Sequence, residues 1–169
     1  EKHSGASANK SLGGMTKHNK REIEVPNADP EMKHLNKELV GTGDYLLDAE
    51  KRIKESKAML QKNGVKAIEH LMTASPDFFD KHKDWDRERA AKEFSLRAFR
   101  FLKATYGEEN ITSFSLHMDE KTPHIHAFVT PIVKGKLKGG KEVNRVSARN
   151  YINGAKKLRE MQTSFASYF

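Results

Sequence analysis

The sequence contains no cysteine and no long hydrophobic run, and each absence excludes a class of protein. Without cysteine, the 169-residue chain forms neither disulfides nor thiolate metal sites, so any metal must be held by histidine and carboxylate groups. The longest mostly apolar stretch, residues 127–133, is far too short to cross a membrane, and no signal peptide is visible. We therefore expect a cytoplasmic protein without a membrane segment.

The positive charge of the chain is concentrated near its carboxyl end. The net charge is +8, and residues 134–160 hold nine basic residues against Glu142 and Glu160. Such a localised basic segment suits contact with phosphates, although a solvated charged face is the alternative. The basic residues of this segment are Lys134, Lys136, Lys138, Lys141, Arg145, Arg149, Lys156, Lys157 and Arg159.

The first half of the chain carries helical patterns around one strand. Residues 44–62 space their apolar side chains like an amphipathic helix that ends before Gly64, and residues 65–73 read as a short strand. Ser75 followed by Pro76 is typical of a helix start. A longer helix is predicted over residues 86–105, with Gly107 as its carboxyl cap.

The second half carries alternating patterns. Residues 111–118 and 124–130 both alternate like strands, and the short polar link between them predicts an antiparallel hairpin. We expect a flexible basic loop over residues 134–141 and a helix over residues 147–166, with Tyr151, Ala155, Leu158 and Phe165 on one face. Together these elements predict an α+β domain in which helices flank an antiparallel sheet.

The most informative segment is HMDEKTPHIHAFV, which begins at His117. Since side chains two apart leave the same face of a strand, His124 and His126 point the same way, and His117 reaches in from the neighbouring strand. Three histidines leave coordination positions open for a substrate oxygen, as in catalytic metal sites. In the connecting loop, Asp119 could orient a ligating imidazole, and either Asp119 or Glu120 could serve as a base or bind a water.

A second candidate is His18, within LGGMTKHNKRE. Lys17, Lys20 and Arg21 flank it, so a phosphate could be held beside its imidazole. A solvated histidine in a basic loop is the alternative interpretation.

These segments resemble the MobV-type mobilisation (Mob/Pre) relaxases of the HUH endonuclease superfamily. GGMTKHNKRE is similar to the family's amino-terminal H-N-x-R motif, and HLNKEL, residues 34–39, to a short H-L-N-x-E-L segment. HMDEKTPHIHAFVTP is similar to the family's H-x-D-E-x-x-P-H-x-H metal motif. The resemblance spans nearly the whole chain and implies site- and strand-specific nicking of DNA at a plasmid origin of transfer, followed by rejoining.

The resemblance also implies roles for single residues. His117, His124 and His126 would ligate Mn²⁺ or Mg²⁺, Glu120 would act as a base or hold a water, and Arg21 would contact the scissile phosphate. His18 would be the nucleophile and form a phosphoramidate with the 5′ end. The DNA partner would be an origin hairpin with a single strand. Its contacts would be Lys17, Asn19, Lys20, Lys66, Lys134, Lys136, Lys138, Lys141, Arg145 and Arg149.

The chain departs from the family pattern at both ends. It lacks most of the short strand that precedes the first motif, and it lacks the long coiled-coil-like carboxyl region, through which the full-length protein could dimerise. We therefore expect residues 1–169 to be a single relaxase catalytic domain truncated at both ends.

Three other functions compete with this prediction. A replication initiator or transposase of the same superfamily would use a tyrosine after the metal motif, and Tyr151 is the candidate, although the pattern favours a core aromatic there. A metal hydrolase of small substrates would not need the basic segment. A DNA-binding module without catalysis would leave three histidines without a purpose.

Overall fold

The computed structural model describes residues 2–81 and 84–169, with side chains from residue 12 onward. Three short 3₁₀ turns, Pro30–Leu35, Glu108–Asn110 and Ala148–Asn150, connect its regular elements. In chain order, the strands and helices are β1 (Lys2–Ser4), α1 (Gly5–Asn19), β2 (Lys37–Val40), α2 (Tyr45–Glu55), β3 (Val65–Thr73), α3 (Pro76–Asp80), α4 (Arg87–Tyr106), β4 (Ile111–His117), β5 (His124–Val129), β6 (Ile132–Lys136), β7 (Glu142–Val146) and α5 (Gly154–Ala166).

Five strands form one antiparallel sheet in the order β1-β3-β5-β4-β2. The hairpin of β4 and β5 therefore lies inside the sheet, and the link between these strands lies at one end of it. β6 and β7 form a separate two-stranded hairpin. The predicted α+β class, with an antiparallel sheet flanked by helices, is confirmed.

One face of the sheet packs against α3, α4 and α5. Ile125, Ala127 and Val129 of β5 point to this face and are fully buried. Against them lies the apolar stripe of α4. The amino-terminal cap of this helix is Asp86, whose carboxylate accepts from the Arg89 amide, and its carboxyl-terminal cap is Gly107, where φ is 86°. Each fully buried large apolar side chain contributes about 1.5–3 kcal/mol, so this face carries most of the stability.

The other face is covered by α1 and α2 over only part of its area. Phe128, two residues after His126, packs there in a small buried cluster with Leu12, Tyr45, Ala49 and Ala67. The predicted alternation of β5 is thus confirmed, since Phe128 shares its face with the histidines. Because this cluster ends before the β4–β5 link, the polar ends of both strands remain accessible from this side.

Tertiary pairing shifts three predicted boundaries. α2 ends at Glu55 instead of residue 62, because Lys57 takes a left-handed φ of 52°. The backbone of Met59 then forms hydrogen bonds with Asn144 and Val146 of β7. Residues 134–141 are not one loop: β6 and β7 pair through Lys136↔Glu142, and the turn is confined to the residues between them.

The carboxyl-terminal helix also begins later than predicted. Residues 148–150 form a 3₁₀ turn, and Gly154 takes a φ of 82°, so α5 starts only there. Tyr151 therefore lies before the helix, and Leu158 is 44% exposed instead of facing the core. Among the described helices, none combines the length and apolarity that a membrane span requires.

Candidate metal centre

The structure brings the three predicted histidines together at the end of the β4–β5 hairpin. His117 pairs directly with His124 across the two strands, and Ser115 pairs with His126. The ring centroids are 5.0–5.2 Å apart. One nitrogen from each ring lies within 4.8 Å of the others, so a single cation can contact all three.

Two of the imidazoles are held by acceptor groups through their Nδ1 atoms. Nδ1 of His126 lies 2.9 Å from Oε1 of Glu69, and Nδ1 of His124 lies 3.0 Å from the Thr122 carbonyl oxygen. Since both partners accept, each Nδ1 carries the proton and leaves the Nε2 lone pair free for a metal. Nδ1 of His117 lies 3.4 Å from the guanidinium of Arg21.

Burial keeps His117 and His124 neutral, which is the form that binds metal. It lowers the pKa of His117 to about 2, with the neighbouring His126 and His124 adding to the effect. Burial also lowers the pKa of His124. His117 and His124 therefore each keep an unprotonated ring nitrogen throughout the neutral range.

The donor set fits a divalent cation. Three neutral imidazoles leave its positive charge intact and do not complete its coordination, as expected for a catalytic site. Asp119 and Glu120 also come within ligand distance of His117, but both carboxylates are occupied by Arg21.

Arg21 ties the two carboxylates of the loop to the end of α1. Its Nε and Nη2 atoms donate to Asp119 at 2.8 and 2.6 Å, and Nη2 also donates to Glu120 at 2.7 Å. The hydrogen bond to Asp119 raises the pKa of Arg21, and its left-handed φ of 56° directs the chain into this position. The side chain is 7% exposed, so as placed it organises the carboxylates instead of facing open solvent.

Asp119 hydrogen-bonds to Arg21, and among the described residues it makes no hydrogen bond to a histidine, so its role in orienting a ligand stays a prediction. The carboxylate that orients a histidine is Glu69, which the sequence analysis missed. Its strand β3 lies beside β5, with Leu71 opposite His126 and Glu69 two residues along on the same face. The alternation of residues 65–73 could have indicated which face of β3 Glu69 occupies, but not that β5 is the neighbouring strand.

His18 lies in the last turn of α1, not in a loop. It lines a cavity of about 640 Å³ together with Glu120, His124 and His126, and with Leu71, Thr73, Asn27, Lys121 and Thr122. Burial, and next the positive charge of Arg21, lower the pKa of His18. The candidate nucleophile is therefore neutral at neutral pH and opens onto the same space as two of the candidate ligands.

The HLNKEL segment supports the loop and strand that carry the site. The amide oxygen of Asn36 accepts from the backbone N–H groups of Met118 and Asp119, at 2.7 and 3.2 Å. Glu38 accepts from the Ser115 hydroxyl at 2.6 Å. The sequence analysis recognised this segment but gave its residues no role.

The predicted DNA contacts fall into three groups. Lys17 and Lys20 are exposed beside His18. Asn19 is buried and donates to the Tyr45 hydroxyl at 2.7 Å, so its predicted DNA contact is not supported by its position. Lys66 is ion-paired with Glu50 at 2.6 Å, and it lies seven residues along β3 from Thr73, which pairs with His124, a separation of about 23 Å.

The remaining predicted contacts form an exposed surface at the far end of the sheet. β5 runs from His124 at the site to Val129 and leads into the β6–β7 hairpin, which we call the basic hairpin (residues 132–146). None of its basic side chains, nor Arg149 just beyond it, makes an ion pair with another described residue. These exposed residues are Lys134, Lys136, Lys138, Lys141, Arg145 and Arg149.

Tyr151 lies on the other side of the molecule. Its ring packs 4.5 Å from that of Tyr106, its hydroxyl donates to the Ile132 carbonyl, and it borders the apolar cluster on the α4 face of the sheet. The interpretation of Tyr151 as a core aromatic is confirmed. A nucleophile on this face would be separated from the three histidines by the sheet itself.

The fold and the site together define a class: an antiparallel α+β domain with an open three-histidine centre, a histidine on the facing helix end and a distant basic surface. Residues 5–169 match the family model described as Mob_Pre, plasmid recombination enzyme. The chain belongs to the plasmid recombination enzyme family.

Similar proteins agree with this assignment. A plasmid recombination enzyme of Streptococcus agalactiae is 36% identical over 136 residues, 75% of this chain and 26% of the relative. A type 3 enzyme of Staphylococcus aureus is 32% identical over 90% of this chain and 36% of its own length. The chain thus spans about a quarter to a third of these relatives.

A solved structure is also similar over nearly the whole chain. It is the Mn-bound MobM relaxase domain (MOBV; Mob_Pre) in complex with 22 nucleotides of plasmid pMV158 origin-of-transfer DNA carrying a 3′ thiophosphate. The TM-score is 0.75 at 28% identity, covering 99% of this chain and 81% of the MobM domain. A second such complex, without the thiophosphate, gives a TM-score of 0.73 at 27% identity.

Proposed function

We propose that this chain is the catalytic domain of a plasmid relaxase, which nicks one strand of an origin of transfer, stays attached to the 5′ end and later rejoins the strand. The observation that carries the proposal is the cavity shared by His18, Glu120, His124 and His126. The likeness to MobM bound to origin DNA supports the choice of substrate.

The three histidines would hold a divalent metal, for which Mn²⁺ is the best candidate. Nitrogen donors disfavour Mg²⁺, which prefers oxygen ligands, and the similar MobM structures are Mn-bound. When bound, the metal supplies positive charge that polarises the scissile phosphodiester. Glu69 and the Thr122 carbonyl would keep two ligand rings oriented towards it.

His18 would attack the phosphorus. A nitrogen–phosphorus bond forms, the bond from phosphorus to the 3′ oxygen breaks, and that oxygen takes up a proton. Because its pKa is lowered, His18 presents a neutral nitrogen without prior deprotonation. Glu120, on the same cavity, would accept the proton that the other ring nitrogen loses and would give a proton to the departing 3′ oxygen. Retention of the covalent link preserves the bond energy needed for rejoining.

Arg21 would stabilise the carboxylates during this step. Its ion pairs hold Asp119 and Glu120 at the cavity, so a direct phosphate contact by Arg21 would require it to release one of them. Lys17 and Lys20 are the exposed cations next to His18, and they are better placed to approach the DNA backbone.

The basic hairpin would bind duplex or hairpin DNA away from the nick. Its five exposed cations, and Arg149 just beyond it, lack ion-pair partners among the described residues and lie at the end of the sheet opposite the histidines, so one DNA molecule could contact both regions. Replacement of Lys134, Lys136 and Lys138 by Gln should weaken DNA binding about tenfold at moderate salt and flatten the dependence of log K on log salt. Replacement of the ion-paired Lys51 and Lys103 provides the control. An unchanged salt slope would refute this surface.

The covalent step is tested with a denaturing gel. Protein, Mn²⁺ and single-stranded DNA spanning the transfer origin of the plasmid that carries the gene should give a protein–DNA adduct, which EDTA prevents. Acid should then release the DNA, because a phosphoramidate is acid-labile. His18→Ala should form no adduct while it still binds DNA, and His34→Ala, which changes an exposed histidine outside the site, should react normally.

Other results would support other functions. An acid-stable adduct would indicate a phosphotyrosine, as in the initiator-like alternative. DNA binding that is indifferent to EDTA, without any adduct, would indicate a DNA-binding module. Either result would contradict His18 as the nucleophile.

A further inference from the structure

Tyr45 contacts all three elements that carry the reacting side chains. It is the first residue of α2 and fully buried. Its hydroxyl lies 2.7 Å from Nδ2 of Asn19 and 3.4 Å from Oγ of Ser115. Its ring stacks on that of Phe128 with centroids 4.0 Å apart and planes inclined by 16°.

Each of these three partners is adjacent to a residue of the candidate site. Asn19 directly follows His18, Ser115 precedes His117 by two residues on β4, and Phe128 follows His126 by two on β5. Side chains two apart on a strand share a face. Tyr45 therefore bridges the end of α1 to both strands that carry the histidine ligands.

The hydrogen bonds around Tyr45 run in one direction. Ser115 donates to the carboxylate of Glu38, so its oxygen is free to accept from the Tyr45 hydroxyl. Tyr45 then uses its own oxygen to accept from the Asn19 amide. A chain of hydrogen bonds thus runs from Asn19, next to His18, to the carboxylate of Glu38 on β2. Hydrogen bonds in such a chain strengthen one another.

The end of a helix needs this kind of support. The last turn of a helix has unpaired carbonyl groups and frays easily, and His18 lies in that turn of α1. An attacking atom displaced by about 1 Å can cost on the order of 100-fold in rate. Besides the ion pairs of Arg21, the Asn19–Tyr45 bond is a buried side-chain contact next to His18.

We propose that Tyr45 is a positioning residue, whose hydroxyl holds Asn19 and thereby fixes His18 relative to the three-histidine centre. This inference rests on the proposed function. Tyr45 itself does not react with DNA, because its side chain is inaccessible to solvent.

The test is Tyr45→Phe, which keeps the ring and its stacking on Phe128. The nicking rate constant at saturating origin DNA and Mn²⁺ should fall roughly 10- to 100-fold. The DNA concentration for half-maximal rate and the Mn²⁺ affinity should stay unchanged. Without DNA or metal, backbone amides of residues 17–20 should exchange with deuterium faster than in the wild type. Tyr168→Phe, a tyrosine at the other end of the molecule, is the matched control.

Asn19→Ala removes the same bond from its other side. It should lower the rate by a similar factor, and the double variant should be no slower than either single one. The inference is overturned if Tyr45→Phe nicks at the wild-type rate, if its loss lies in DNA or metal binding, or if the two losses multiply. Failure of the wild type to form an adduct would instead refute the proposed function, and the amide exchange would still decide whether Tyr45 holds the helix end.

Discussion

The central sheet carries histidines on both faces, and their surroundings differ. On the face that α1 and α2 partly cover, His124 and His126 border an open cavity, His117 lies beside them, and Glu69 and Thr122 accept from two of the rings. On the face that α4 covers, His70 lies among apolar side chains with the Tyr106 hydroxyl 2.9 Å from its Nε2 atom.

The difference separates a functional histidine from a structural one. Burial lowers the pKa of His70 as it does those of His117 and His124, so a lowered pKa alone does not distinguish the two faces. The distinguishing feature is the direction of the ring nitrogens. In the three-histidine centre, one nitrogen from each ring lies within 4.8 Å of the others, whereas a ring nitrogen of His70 is hydrogen-bonded to the hydroxyl of Tyr106. Loss of a side chain should therefore affect chemistry on one face and stability on the other.

The largest effect is expected from His117→Ala. Removal of one ligand should lower the nicking rate by roughly 10³-fold or more, since the bound metal contributes several kcal/mol to transition-state stabilisation. DNA binding should be largely retained, because the exposed lysines are untouched. Adduct formation and gel-shift affinity measured side by side, with His34→Ala as the control, test this. Normal nicking by His117→Ala would show that the three-histidine centre is not the metal site.

A smaller effect on the same face is expected from Glu69→Gln. The amide still accepts from Nδ1 of His126, but its lost charge makes the imidazole a weaker ligand. Mn²⁺ affinity, followed by the free-ion signal in electron paramagnetic resonance, should fall about tenfold. Glu55→Gln, an exposed position on α2, should bind Mn²⁺ like the wild type. An equal affinity in both variants would mean that Glu69 does not tune the centre.

The same two faces show what the sequence could predict. Alternation and a short polar link were enough for the β4–β5 hairpin and for the convergence of three histidines, because these contacts are local. Arg21 and Asp119 are 98 residues apart, and Glu69 and His126 are 57 apart, so their pairing depends on strand order. Local periodicity carries no information about that order. The end of α2 was mispredicted for the same reason, since the Met59 backbone bonds to β7 instead of continuing the helix.

The smallest effect concerns His70 on the α4 face. Burial lowers its pKa from 6.5 to about 4, so the unfolded chain takes up a proton near pH 6.5 and the folded chain does not. The contribution of His70 to the free energy of unfolding should therefore be highest above pH 6.5 and should fall by about 1 kcal/mol between pH 7.5 and 5.5, levelling off below pH 4. His70→Gln keeps a polar partner for Tyr106 but cannot titrate, so its loss of stability over this interval should be smaller by that amount. For a chain of this size, 1 kcal/mol corresponds to about 2–4 °C in Tm. Tm curves of the two proteins that run parallel from pH 7.5 to 5.5 would contradict the buried, neutral state of His70.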